Sequence, residues 1–349
     1  MKNLNLNEIF KIAAQNKASD VHLIVGKPPV LRIDGQLKEI DKINILTKDT
    51  IQEIIFSILT SQEKEKLIAR RELDTSYQSD GIARFRINVY WEKSNLALAA
   101  RVILPSLPNM EEILMPKIAY KLARLNQGLV LITGPTGCGK STSLAAMINL
   151  INEERSCHIV TMEDPIEYVF LPKKSIISQR QLGSDILSFG DALKHVVRED
   201  PNVIMVGEMR DLETIGTALT LAETGHLILA TLHTQNASQT IDRIIDVFPP
   251  HQQTQVRLQL SISLQGVISQ QLLPRIDNGR IASREILINT PAVGNLIREN
   301  KISQIKAVIQ TSAKEGMVSM DQDLKRLVSE KLIDKQIALA YMFNPQELK

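Results

Sequence analysis

The stretch GLVLITGPTGCGKSTSLAAM, residues 128–147, decides how the rest of the chain is read. Its apolar run Leu129-Val130-Leu131-Ile132 predicts a buried strand that ends by Gly134. The loop Gly134-Pro135-Thr136-Gly137-Cys138-Gly139 then leads into a helix at Lys140-Ser141-Thr142. This is G-x-x-x-x-G-K-[ST] in a strand–loop–helix context, the pattern of a phosphate-binding loop. Glycines at 134, 137 and 139 allow a tight turn whose successive N–H groups point into one concavity. The helix that follows adds the positive end of its dipole. Lys140 is placed to reach the β- and γ-phosphates, and the Ser141 hydroxyl to ligate Mg²⁺. The implied ligand is a nucleoside triphosphate, cradled from Gly134 to Thr142.

Composition frames this reading. The chain has 349 residues, enough for two cores, with 44% apolar and 23% charged residues. A net charge of +2 is too small to point to nucleic acid or a membrane surface. Cys138 and Cys157 have no metal-ligand spacing, and the simplest setting is a reduced, cytoplasmic one. Met1-Lys2-Asn3 opens no signal peptide, and no apolar run approaches a spanning helix of ~18 residues. Membrane association is therefore expected only through partners.

Upstream of the loop, residues 4–16 predict an amphipathic helix, and 20–25 and 30–33 predict strands separated by Lys27-Pro28-Pro29 and closed by Asp34-Gly35. Thr47 caps a predicted helix, and Thr60 with Glu63 forms a capping box for the next. A strand over 73–78 turns at Asp80-Gly81 into a regular alternation. Ala83, Phe85, Ile87, Val89 and Trp91 share one face, while Arg84, Arg86, Asn88 and Tyr90 share the other. A return strand over 96–104 carries Arg101. Such arginines either sit on a solvated face or serve a phosphate of a neighbouring subunit. Residues 105–108, Pro-Ser-Leu-Pro, mark the domain boundary, followed by a helix near 110–125.

Beyond it, strand–loop–helix units repeat, with strands expected at 129–133, 157–162, 202–207 and 226–231. Their ends deliver Glu163, Glu208 and His233. In open α/β sheets the ligand lies beyond the carboxyl ends of the strands. Carboxylates there orient an attacking water or hold Mg²⁺ through its water shell, and a histidine hydrogen-bonds the terminal phosphate. Strands at 266–273 and 280–288 flank Asp277-Asn278-Gly279, and the rest is helical with breaks at Gly316 and Ile333-Asp334.

Four ordered segments carry a family resemblance: residues 134–142 (GPTGCGKST), 161–168 (TMEDPIEY), 198–211 (REDPNVIMVGEMRD) and 225–234 (GHLILATLHT). They resemble the Walker A, Asp, Walker B and His boxes of the secretion-type hexameric ATPases, most closely the PilT-like retraction motors of type IV pili. The implied fold is α/β: a RecA-like P-loop ATPase domain with a smaller N-terminal α+β PAS-like domain and a helical C-terminal region. Expected boundaries are 1–104 for the N-terminal domain, 105–110 for a linker, 111–290 for the ATPase domain and 291–349 for the C-terminal region. The resemblance implies ATP and Mg²⁺, water activation at Glu163, and Mg²⁺ organised by Ser141 and Glu208. It also implies His226 and His233 as His-box residues, and Arg86 and Arg101, with Arg84, approaching the neighbouring subunit's nucleotide. The implied assembly is a homohexamer coupled to an inner-membrane pilus platform protein, with a paralogous retraction ATPase as a further partner, peripheral at the inner membrane.

Three departures stand out: Cys138 where relatives often have serine, Glu-Lys-Ser-Asn after Trp91, and Gly294 where relatives carry an arginine linked to retraction. Gly294 leaves open an accessory paralogue in place of the motor itself. A pilus-extension or type II secretion ATPase is disfavoured because the chain lacks a four-cysteine zinc insertion. A non-hydrolysing nucleotide-gated scaffold fits poorly with two glutamates at the strand ends. A nucleic-acid translocase lacks its basic–aromatic stripe.

Overall fold

The computed structural model describes residues 5–348 other than 34, 42, 80, 104–106 and 278. Met1-Lys2-Asn3, Asp34, Asp80, Asn278 and the first part of the expected linker lie outside the described residues. The chain divides into two compact units, Met1–Ser106 with Pro165–Val169 and Leu107–Asp164 with Phe170–Lys349. Residues from 291 onward cluster with the second unit.

The first unit begins with α1 (Leu6–Gln15), whose Glu8 N–H donates to the Asn5 side chain, then β1 (Asp20–Leu23), β2 (Val30–Ile33) and β3 (Gln36–Glu39). β3 is exposed at every residue, so it carries no apolar pattern to read. α2 (Lys48–Ile58) is capped by Thr47, and α3 (Ser61–Arg70) carries the reciprocal Thr60–Glu63 box, a cap of about 1 kcal/mol. β4 (Glu72–Ser79), β5 (Ala83–Glu92) and β6 (Asn95–Ile103) complete an antiparallel sheet ordered β3-β2-β1-β6-β5-β4. The alternation along β5 holds, with Ala83, Phe85, Ile87 and Val89 buried. Phe10 of α1 stacks on Phe85 with ring centroids 3.6 Å apart. The opposite face presents Arg86 and Arg101 as direct cross-strand neighbours.

The second unit's α4 (Lys117–Ala123) is shorter than the helix expected over 110–125. Residues 109–115 turn instead. Asn109 and Glu112 exchange backbone-to-side-chain bonds of 3.1 and 2.8 Å, Leu114 takes φ 50°, and Pro116 sets the helix start. The core alternates β7 (Gly128–Thr133), α5 (Lys140–Glu154), β8 (His158–Glu163), β9 (Ile176–Gln181), α6 (Phe189–Val196), β10 (Val203–Val206), α7 (Leu212–Glu223) and β11 (Leu227–Leu232). It continues through α8 (Ala237–Asp246), α9 (Pro250–Ser263), β12 (Leu264–Pro274) and β13 (Arg280–Ile288). The sheet order is β13-β12-β7-β11-β10-β8-β9, parallel except for β13. Helices on both faces explain why β7, β10 and β11 are buried at every residue and read as unbroken apolar runs. β9 is a half-exposed edge strand, which left it unread in the sequence.

The chain closes with α10 (Pro291–Arg298), α11 (Ile305–Thr311), α12 (Met320–Ser329) and α13 (Lys335–Tyr341). Gly294 fits closely, since a Cβ there would lie 3.1 Å from the Ser261 carbonyl of α9. The buried Arg284 of β13 donates to the Ile113 and Leu114 carbonyls, each at 3.0 Å, and its backbone N–H donates to Asp323 at 2.8 Å. Burial pushes its guanidinium down to about 10 while Asp323 pulls it back up, so it stays charged at neutral pH.

Candidate active site

β7 and β12 run side by side up to the Thr133–Ser269 pair, where the two hydroxyls meet at 2.8 Å. The loop leaves the sheet at Gly134, which is buried and has φ 141°. Gly137 and Gly139 take φ 79° and 87°, in the region that favours glycine. Pro135, Thr136 and Gly137 form the exposed crest, and Cys138 turns inward. Burial pushes the Cys138 thiol up against the opposing pull of Lys140, so it remains protonated. α5 starts at Lys140 with no side-chain cap, because Gly139 precedes it. No N-cap side chain therefore competes with a ligand for the N–H groups of the first turn. Lys140, 9% exposed, spans the loop by donating from Nζ to the Gly134 carbonyl at 2.8 Å and the Pro135 carbonyl at 3.1 Å. Ser141 is exposed and Thr142 half-buried on the first turn.

The strand ends bring a second group to the same edge. β11 lies beside β7, β10 beside β11, and β8 beside β10. At roughly 4.8 Å per step, Glu163 on β8 starts about 14 Å from the loop's strand. A triphosphate, a water and a glutamate side chain together cover that span. Glu163 is 6% exposed, and its Oε1 accepts from Thr161 Oγ1 at 2.7 Å and Gln179 Nε2 at 3.0 Å. Next to it, Gly207 N–H donates to the Met162 carbonyl at 2.8 Å, placing Glu208 just past β10. Glu208 is held by Arg210 at 2.7 Å and by His233 Nε2 at 3.1 Å, one on each carboxylate oxygen. Burial alone pushes the Glu208 carboxyl up. The hydrogen bonds and charges of Arg210 and His233 outweigh it and hold the group below the usual carboxylate range. Glu208 is therefore a fixed anion and a poor base, whereas Glu163 sits in a drier place.

One expected residue does not join them. His226 precedes β11, and its carbonyl accepts from the Gly128 N–H at the start of β7. Its ring Nδ1 lies 3.0 Å from the Leu221 carbonyl at the end of α7. It sits at the amino edge of the parallel sheet, a strand length of roughly 20 Å from the loop within one chain. Within one chain His226 therefore stands apart from the loop, against the end of α7. Arg86 and Arg101 belong to the first unit. Arg101 Nε pairs with Asp20 at 3.1 Å and stays 70% exposed, while Arg86 is exposed and has no ion-pair partner among the described residues.

Sequence reading missed Thr161, Gln179 and Gln270. Thr161 shares a face with Glu163 at the period-2 spacing of a strand, which is a usable signal. Gln270 stands in Ser269-Gln270-Gln271, a polar break inside an otherwise apolar strand. A cleft of about 440 Å³ adjoins the loop, lined by Cys138, Gly139, Thr142, Gln270, Leu272 and Ile281 among others.

Over residues 106–338 the sequence matches the family described as Type II/IV secretion system protein. The chain belongs to that family. Among curated relatives of this secretion-system ATPase, the type IV pilus retraction ATPase PilT of Pseudomonas aeruginosa is 44% identical over 335 residues, 96% of this chain and 97% of that protein. A twitching motility protein of Neisseria gonorrhoeae is 49% identical over 311 residues, 89% of this chain and 83% of that one. Among solved structures, the pilus retraction motor PilT with bound ADP superposes with a TM-score of 0.93 at 46% identity, covering 99% of this chain and 98% of that one. The family member therefore has the RecA-like ATPase fold with an N-terminal α+β domain. No helix of its described residues is long and apolar enough to cross a membrane.

Proposed function

We propose that this chain is an ATP-hydrolysing motor that works as a homohexamer and drives retraction of a type IV pilus. The observation that carries the reading is likeness along the whole chain to an ADP-bound retraction motor, with loop and carboxylates on one sheet edge. In this reading the loop amides and Lys140 hold the phosphates. Glu163 orients a water and takes its proton as the water oxygen attacks the γ-phosphorus, releasing ADP and phosphate. Ser141 and the ionised Glu208 offer one hydroxyl and one carboxylate, a hard-oxygen set that suits Mg²⁺ held chiefly by phosphates and water. Bound there, Mg²⁺ neutralises phosphate charge. His233, tied to Glu208, relays loss of the terminal phosphate to the loop that precedes α8. The motor works at the cytoplasmic side of the inner membrane through a pilus platform protein.

Arg86, exposed and without an ion-pair partner among the described residues, suits a γ-phosphate of the neighbouring subunit. Arg86→Ala is expected to lower turnover of the assembled hexamer at least about tenfold. Unchanged hydrolysis by an intact ring assigns Arg86 to a solvated face.

Deletion of the gene is expected to leave excess surface pili and no twitching, scored by electron microscopy and stab plates. Loss of pili instead moves the chain to the assembly side. Gly294, standing where relatives carry an arginine linked to retraction, supports one second reading, an accessory ATPase acting with a paralogous motor. Under it, deletion leaves pilus number unchanged while the paralogue is present.

A further inference from the structure

Gln270 is 1% exposed, yet it is a polar side chain on an inner strand. It stands one residue past the last β7–β12 pair, where the phosphate loop departs. Its Nε2 donates to the Cys138 carbonyl at 2.8 Å, and its Oε1 accepts from Ser143 Oγ of α5 at 2.9 Å. A carbonyl only accepts, so the end of the amide facing Cys138 is the donor end. The Gln270 main-chain oxygen packs against Gly134, 2.2 Å from where a methyl would be. One residue thus braces the loop at its start, near its end, and on the helix behind it.

The bond to Cys138 has a directional effect. In a planar trans peptide the C=O and the next N–H point opposite ways. Pinning the Cys138 carbonyl onto Gln270 therefore aims the Gly139 N–H away from β12. Gly139 itself takes φ 87° and has no Cβ, so it adds no steric bar of its own to rotation of this peptide. Lys140 also braces the loop, through the Gly134 and Pro135 carbonyls, but its ammonium is the group that must turn to phosphate. The Gln270 contact faces away from the ligand and has no such second duty.

We propose that Gln270 is a positioning residue that locks the Cys138–Gly139 peptide with its N–H directed at phosphate, so that the loop is shaped before nucleotide arrives. The proposal rests on the reading of the loop as a nucleotide site. A lost charge-assisted bond to one phosphate oxygen corresponds to roughly a tenfold or greater change in affinity.

The test compares full-length wild type, Gln270→Met, Gln270→Glu and Ser143→Ala in fluorescent ATP-analogue titrations and steady-state ATP hydrolysis. Gln270→Met keeps the volume and removes both bonds. It is expected to raise Kd and KM for ATP about tenfold, with the loss falling on KM and not on kcat. Gln270→Glu keeps the acceptor for Ser143 but has no donor for Cys138, and it is expected to weaken binding at least as much. Ser143→Ala frees the amide to turn and is expected to raise Kd about threefold, a readout that survives if Gln270→Met fails to fold. Wild-type Kd in Ser143→Ala together with wild-type Kd in either folded Gln270 variant overturns the lock. So does a Gln270→Met enzyme whose loss lies in kcat at unchanged KM. Absence of nucleotide binding by wild type itself would reject the reading of the site, a separate failure.

Discussion

Glu163→Gln is expected to bind ATP about as tightly as wild type and to hydrolyse it roughly 10²–10⁴-fold more slowly. The expectation rests on the contrast between the two strand-end carboxylates. Glu208 has an arginine on one oxygen and a histidine on the other, and their combined pull keeps it ionised. A carboxylate held in that way orients neighbours well and accepts a proton badly. Glu163 is nearly inaccessible, and Thr161 and Gln179 both donate to its Oε1. Both donors are uncharged, and they fix the plane of the group. The amide keeps shape and polarity but cannot take a proton from water, so binding survives while turnover does not. Fluorescent-nucleotide titration and single-turnover phosphate release measure the two effects separately. Hydrolysis near the wild-type rate would remove Glu163 from the chemistry and shift the search for the base to Glu208.

A second large effect is expected at Gly134. In Gly134→Ala the added carbon would lie 2.2 Å from the Gln270 carbonyl oxygen and 2.6 Å from Cys138 Sγ. The first obstacle is main chain inside a seven-stranded sheet, so it yields only if β12 moves. The backbone angle of 141° adds strain for any residue with a side chain. Together the strained torsion and the overlap amount to about 3–5 kcal/mol. The variant is expected to melt well below wild type and to lose nucleotide binding in whatever fraction folds. Thermal unfolding followed with and without ATP reads both, since binding to the native state alone raises the melting temperature. Gly137→Ala is the natural comparison, because nothing lies within 4 Å of its added carbon. Equal losses at the two positions would mean that torsion, not contact with β12, governs.

The loop, the sheet and the two glutamates were legible in the sequence because each is marked locally. A buried parallel strand is an unbroken apolar run, and a polar residue that ends it stands at a known edge. His226 shows the limit of that logic. It sits in the same motif as His233, but at the other end of a six-residue strand, and only chain direction separates their places. β9 and β3 were invisible because partly or fully exposed edge strands need no apolar pattern. Gln270 became meaningful only when β12 was seen beside β7, since it reaches a carbonyl 132 residues away in sequence. A polar residue in a core strand has no readable purpose until its neighbour is known.

Arg284 bears on how force passes into the second unit. Its two N–H groups grip consecutive carbonyls, Ile113 and Leu114, a few residues after the chain enters at Leu107. Tension applied through that entry reaches these two bonds before it reaches α4. They are bolted to β13, which is stitched along nine residue pairs to β12. Strain entering there therefore falls first on two carbonyls anchored to a paired sheet strand, and not on a helix end that would unzip one turn at a time.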